Sequence, residues 1–204
     1  MPFIIYALPR SRTAWLSRYL TYLDWTCYHE VGIRMREVED IKRFFYSRPN
    51  VGCSETAAGP LWQIIKHHVP DAKRVVIRRP LEDVMNAMMN LDLSGVAYYE
   101  YDKLKRILSR EIRDLEKISA EPDVLTVDYA DLKTPEACAA IFEHVLPYRF
   151  DYDWWRVLDK TKVEVDVKQV ILYYYANKDG VDGFKKKCKS ELRRLAYAGL
   201  VKGK

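Results

Sequence analysis

Along this chain of 204 residues, short continuous apolar runs alternate with stretches in which apolar residues recur every three or four positions. Runs of the first kind suit strands buried on both faces; the second kind suits amphipathic helices. Residues 3–8 (FIIYAL) read as the first strand, followed by a helix to about residue 22 with Ser11 or Thr13 as its cap. Residues 25–30 and 50–54 read as the next two strands. Between them, a helix over 37–46 puts Val38, Ile41, Phe44 and Phe45 on one side. A further helix carries Leu61, Ile64, Ile65 and His68. Residues 74–77 (RVVI) form a β-branched strand, after which Pro80 opens a helix. Residues 99–118 carry the longest stripe: Tyr101, Leu104, Ile107, Leu108, Ile112, Leu115 and Ile118. A strand over 124–127 and a helix from Pro135 to about residue 145 follow. Residues 148–178 are aromatic and keep neither period, and from Val181 the tail reads as a helix with a basic face. The alternation predicts a single three-layer α/β/α domain around a central, mainly parallel sheet.

Composition narrows the class. No apolar stretch approaches the roughly 20 residues of a membrane helix. The N-terminal apolar run covers only residues 3–8, with its arginines after it rather than before, unlike a secretory signal. The expectation is a cytoplasmic protein without a membrane anchor. Cys27, Cys53, Cys138 and Cys188 lie far apart, with no Cys/His spacing for zinc, and read as reduced, buried thiols. The net charge of +5 is uneven. Residues 181–204 hold eight basic side chains against two acidic ones, a net +6, which leaves the rest at −1. Such a tail serves either nucleic acid or an anionic cofactor.

Two segments carry candidate chemistry. The first is PRSRT, Pro9 to Thr13, between the first strand and the first helix. A loop so placed presents backbone N–H groups to an anion. Arg10 and Arg12 add guanidinium forks that match phosphate oxygens, and Ser11 and Thr13 add hydroxyls. The Lys-Ser/Thr pair of nucleotide-hydrolysing phosphate loops is absent. The second is VVIRRPLEDVMNAM, in which a buried strand delivers Arg78 and Arg79 to its C-terminal end, where open α/β sheets bind ligands.

Together these segments resemble the sulfotransferase superfamily, enzymes that use 3′-phosphoadenosine 5′-phosphosulfate and release adenosine 3′,5′-bisphosphate. Pro9, Arg10, Ser11 and Thr13 match the family's Pro-Lys/Arg-Ser-Gly-Thr loop, with Arg12 in place of the glycine. Arg78, Pro80 and Glu82 match its second motif, with Asn86 where a serine is expected. VLTVDYADL followed by TPEACAAIFEHVLP resembles the strand, turn and helix that come later in the family. The resemblance runs over roughly residues 3–150. It implies a P-loop NTPase-like sulfotransferase fold with no metal. It implies a 5′-phosphosulfate held by Pro9, Arg10, Ser11, Arg12, Thr13 and Ala14, and a 3′-phosphate held by Arg78 and Asn86. Arg10 matches the residue that stabilises charge on the bridging oxygen. The base that takes the acceptor's proton is a histidine or glutamate in this family. Glu55, or the pair His29 and Glu30, is placed at a strand end to supply it. The acceptor is a small molecule or glycan, bounded by segments near 32–36, 91–99 and 148–155; FDYDWW and the tyrosines at 173–175 are candidate pocket walls or core. The short chain is closer to bacterial or phage members than to Golgi ones. Two other readings use the same residues: a small-molecule kinase with ATP and magnesium, or a non-catalytic binding protein whose tail takes nucleic acid.

Overall fold

In a computed structural model of the chain, five parallel strands lie in the order β2-β3-β1-β4-β5. The structure describes residues 1–91, 101–163, 172–173 and 175–201. The strands are β1 (Phe3–Ala7), β2 (Thr26–His29), β3 (Val51–Glu55), β4 (Lys73–Arg78) and β5 (Val124–Asp128). β1 is central and every one of its residues is buried, which is why its sequence is a continuous apolar run rather than an alternating one. Phe3, Ile5 and Ala7 enter one core layer; Ile4 and Tyr6 enter the other.

Helices cover both faces. On one lie α1 (Thr13–Tyr19), α6 (Pro135–Val145) and α7 (Tyr152–Asp159). On the other lie α2 (Glu39–Tyr46), α3 (Trp62–His68), α4 (Leu81–Met89), α5 (Tyr101–Ser119) and α8 (Lys178–Tyr197). The expected three-layer α/β/α architecture is therefore the observed one. The helix after β1 goes to the opposite face from the helices after its neighbours β3 and β4. Such a divergence opens a crevice at the strands' C-terminal ends, and it falls at PRSRT.

Boundaries moved for local reasons. The first helix stops at Tyr19, short of residue 22. Leu23 adopts a left-handed turn and Tyr22 bridges back to Trp25. Glu55 is the last residue of β3 rather than the first after it. The expected start of α5 at Tyr99 lies outside the described residues. The aromatic stretch left unassigned contains α7, capped by Asp151, whose carboxylate accepts from Trp154 N–H at 2.9 Å. Trp155 and Leu158 bury into the core layer around α1, and the Trp154 indole donates to the Tyr19 carbonyl at 3.0 Å. Of FDYDWW, Trp155 is core and Phe150 and Trp154 pack against it, while Tyr152 is exposed. All four cysteines are free and buried. Among the described residues no helix is long and apolar enough to cross a membrane. α8 begins at Lys178 and turns Val181, Phe184, Cys188 and Leu195 inward, leaving its lysines exposed.

The sheet tolerates no side chain at Gly52, because a Cβ there would overlap the ring of Phe3 on the adjacent β1. That ring is wholly buried and stacked on Trp25 at 5.8 Å, so it has nowhere to go. Gly52→Ala is expected to destabilise the fold by about 1–3 kcal/mol, the usual range for overpacking. A denaturant midpoint unchanged from the parent would show that the ring can move.

Candidate active site

The loop between β1 and α1 contains no glycine. Arg10 and Arg12 both sit in the left-handed region, at φ 64° and 60°. That conformation costs a side-chain-bearing residue about 1–2 kcal/mol. Long-range contacts offset the cost. Arg12 is the residue before α1, and no side chain caps the helix, so the capping expected of Ser11 or Thr13 does not occur. The Arg12 guanidinium instead donates to the Leu132 carbonyl at 2.7 Å and meets Asp159 Oδ1 at 3.2 Å. It also lies over Trp15, 4.1 Å from the ring centroid. The group expected to grip a phosphate thus fastens the loop to the turn after β5 and to the end of α7. Arg79 performs the matching task from β4's end: it donates to the Arg10 carbonyl and stacks on Tyr129 at 3.9 Å.

Inside this braced loop Ser11 is wholly buried, and among the described residues its hydroxyl has no hydrogen-bond partner. The Thr13 hydroxyl lies 3.1 Å from His29 Nε2. His29 is half-buried at the end of β2, and burial lowers its pKa below the usual 6.5. Its ring lies 3.6 Å from Glu30 Oε1. Glu30 has a left-handed backbone, φ 54°, and accepts from Thr56 N–H at 3.1 Å. Burial pushes its carboxyl up to about 7, against the pull of Thr56. Glu55 is buried and accepts from Val31 N–H at 2.6 Å and more loosely from Gly32 N–H. Burial, and next the nearby Glu30, raise its pKa well above the carboxylate range, while the two amides oppose this.

Except for the buried Ser11, these groups open into one cavity of about 640 Å³ at the C-terminal ends of β1, β2 and β3. Pro9, Arg10, Arg12, Thr13 and Ala14 line it from the loop; His29, Glu30 and Glu55 line it from the strand ends. Gly32, Ile33 and Met35 contribute, as the expectation for residues 32–36 had it, and so does Tyr175. None of residues 148–155 does, and 92–99 lie outside the described residues. Arg78 and Asn86 are exposed and off the cavity lining. Arg78 Nε pairs with Asp128 at 3.0 Å, an exposed contact worth about 0–1 kcal/mol that a phosphate can displace.

One cavity residue escaped the sequence reading. Glu111 is half-buried on α5, and burial first pushes its carboxyl up to about 8; Lys185 opposes the shift, and Glu30 and Asp114 add to it. The signal was present. Leu104, Leu108, Glu111, Leu115 and Ile118 recur at alternating spacings of four and three, which places an acid in the apolar seam.

With this geometry described, comparison with solved structures finds mouse sulfotransferase SULT7A1 complexed with PAP, at a TM-score of 0.52 and 10% sequence identity. The fold is a sulfotransferase fold. The match covers 85% of this chain and 64% of that one, so the chain spans less than two thirds of its structural neighbour. No protein-family model and no curated protein matches the sequence.

Two outcomes follow from the strained loop and the buried acid. Arg12→Gly relieves the left-handed strain while losing the Leu132, Asp159 and Trp15 contacts; Arg12→Ala loses the contacts and keeps the strain. Arg12→Gly is therefore expected to melt above Arg12→Ala, by an amount on the order of 1 kcal/mol; the reverse order would mean that the loop is not held left-handed in solution. Glu111, raised from 4.5 to about 8, holds its proton more tightly folded than unfolded. Its contribution to stability is present below pH 4.5 and is lost as pH rises through about 8. The melting advantage of Glu111→Gln over the parent is expected to grow between pH 5 and pH 8.5, and parallel melting curves would contradict the raised pKa.

Proposed function

We propose that the chain is a sulfotransferase that moves a sulfuryl group from 3′-phosphoadenosine 5′-phosphosulfate to an acceptor seated in the cavity. The observation that carries this reading is the loop itself: Pro9, Arg10, Arg12, Thr13 and Ala14 line the cavity, and the Ser11 hydroxyl is buried beneath them with no partner among the described residues. A buried orphan donor costs about 1–3 kcal/mol unless something accepts from it, and an anionic oxygen in the crook of the loop would do so. The residues present therefore fit a phosphosulfate. The exposed Arg10 side chain stands at the mouth of the same loop and would meet charge developing on the leaving oxygen. Arg78 would exchange its exposed Asp128 partner for the 3′-phosphate. Asn86 lies on α4, in the helix that Pro80 opens, and would supply an amide there.

The cofactor's part is to present an activated sulfuryl group. The chain's part is to orient it and to accept a proton from the attacking hydroxyl or amine. His29 fits that second task better than the alternatives. Its imidazole is neutral at pH 7 because burial lowers its pKa, and it reaches the loop through Thr13. Glu30, 3.6 Å away, would stabilise the imidazolium once the proton has been taken. Glu55 becomes a positioning residue: its carboxyl oxygens accept from the Val31 and Gly32 amides behind His29 and Glu30. The same commitment weakens the kinase reading, since the acid at the end of the strand beside β1 faces backbone amides.

The decisive measurement is ligand-induced stabilisation. Adenosine 3′,5′-bisphosphate at about 100 times its dissociation constant should add about 2.7 kcal/mol of apparent stability, and Arg10→Ala should abolish this. His29→Gln should keep the shift and lose about 10²- to 10⁴-fold in transfer rate. In the parent, the acid limb of kcat/KM should fall below pH 6.5, where His29 becomes protonated. No shift with the bisphosphate would overturn the reading. A shift with magnesium-ATP alone would point to a kinase, and a salt-sensitive shift with oligonucleotide alone would point to the basic tail.

A further inference from the structure

α8 presents two faces. The inward one buries Phe184 and Cys188 in a core layer, and Val181, Phe184 and Lys185 line the cavity from its first half. The cations on its flanks are engaged: Lys187 pairs with Glu37, Arg194 meets Glu191 at 2.7 Å, and Lys185 acts on Glu111 across the cavity lining. The outward face differs. Lys186, Lys189, Arg193 and Tyr197 recur at spacings of three, four and four, which places them on one side of the helix, and all four are exposed. Among the described residues no hydrogen bond or ion pair reaches the three cations. The acids on that side, Asp179 and Asp182, stand two turns and one turn before Lys186. The helix ends in a left-handed Gly199; the Gly199 N–H bonds the Ala196 carbonyl at 3.1 Å and the Leu200 N–H bonds the Leu195 carbonyl at 2.9 Å. In such closures the residue after the glycine frequently packs back on the last turn. Here Leu200 remains 59% exposed, and Tyr197 is 99% exposed.

We propose that the C-terminal half of α8 docks the chain on an anionic lipid surface. Lys186, Lys189 and Arg193 meet the headgroups, and Tyr197 and Leu200 enter the interface. A lipid surface is the occupant that uses both parts of the face. Its anionic headgroups attract a cluster of lysine and arginine. Its headgroup level favours the amphipathic ring of a tyrosine, and the leucine leaves water for the acyl boundary. A nucleic acid would use the cations alone. One tyrosine offers a single base a stacking partner, against the successive aromatic platforms of single-strand binders, and Leu200 would stay in water. The gradient of charge along the helix orients the chain. Asp179 and Asp182 sit at the end that anionic lipid repels, the same end from which Val181, Phe184 and Lys185 line the cavity. Docking therefore leaves the cavity lining out of the contact. The proposal is independent of the sulfuryl-transfer reading.

The test is sedimentation of the full chain with sucrose-loaded vesicles, of phosphatidylcholine alone and of equal parts phosphatidylcholine and phosphatidylserine. At low salt the mixed vesicles should bind at least about 10-fold more tightly, and sodium chloride at about 0.5 M should weaken that binding. Lys186→Gln, Lys189→Gln and Arg193→Gln together should lower it about 100-fold. Tyr197→Ala with Leu200→Ala should lower it about 10-fold at either salt concentration, because apolar insertion is not screened. All five positions are exposed, so both variants should melt with the parent, and the melting curve separates lost docking from lost folding. Equal binding to the two vesicles, binding to neither at millimolar lipid, or full binding by the triple variant would each overturn the proposal. If the Tyr197 and Leu200 changes leave vesicle binding intact while the triple variant loses oligonucleotide binding, the face belongs to nucleic acid and the proposal falls.

Discussion

A loop that turns through left-handed backbone without glycine needs something else to stabilise it, and between β1 and α1 two guanidinium groups do so. Arg12 reaches the Leu132 carbonyl, Asp159 and the Trp15 ring, and Arg79 reaches the carbonyl of Arg10 and the Tyr129 ring. Both braces reach the turn after β5, Arg12 at Leu132 and Arg79 at Tyr129. Arg12 adds the end of α7, and Arg79 extends from the end of β4. With arginine rather than glycine at these positions, the conformation depends on the tertiary structure instead of being locally permitted. The loop is consequently shaped before any ligand arrives. The entropy that a glycine loop loses on closing around an anion is lost here during folding.

That dependence gives α7 its place. Its eight residues span little more than two turns, too few for a helical period to stand out against four aromatic residues in a row of six. Its reason for being where it is lies elsewhere in the chain. Trp15 donates to the Leu158 carbonyl at 3.0 Å, and Arg12 meets Asp159 next to it. α1 and α7 are therefore fastened together at the point where the loop becomes helix.

The strands were legible because a parallel sheet covered on both faces leaves continuous apolar runs, and β1, β3 and β4 carry them. The loop was legible as a site because PRSRT follows such a run directly. What could not be read were relations between distant residues. Arg12 carries no local mark of a partner 147 positions away. Arg78 and Arg79 are adjacent and chemically identical, yet one pairs with Asp128 at the surface and the other braces the loop. Glu55 was recognised as a strand-end acid, but its bond to Val31 depends on the left-handed turn at Glu30, and glutamate does not advertise that conformation. Glu111 was readable in principle and was passed over because an apolar stripe hides the one polar residue lying in it.

The charges of the site are grouped by element, with Lys162 and Lys185 adding cations to the lining. Guanidinium groups gather around the loop, carboxyls gather at the strand ends and on α5, and His29 touches both through Thr13 and Glu30. A fold selected for stability alone would not keep Glu30, Glu55 and Glu111 in one largely apolar space. Each of them is pushed toward its neutral form by burial, and Glu30 raises Glu55 and Glu111 further. Departures of this kind from the rules of core packing concentrate at functional sites, where a group is held in an unfavourable state that a ligand relieves. The arrangement also accounts for a neutral imidazole between the two walls. Arginine on one side and partly protonated acid on the other leave His29 without a fixed anionic partner to raise its pKa, so burial prevails and the ring stays able to take a proton.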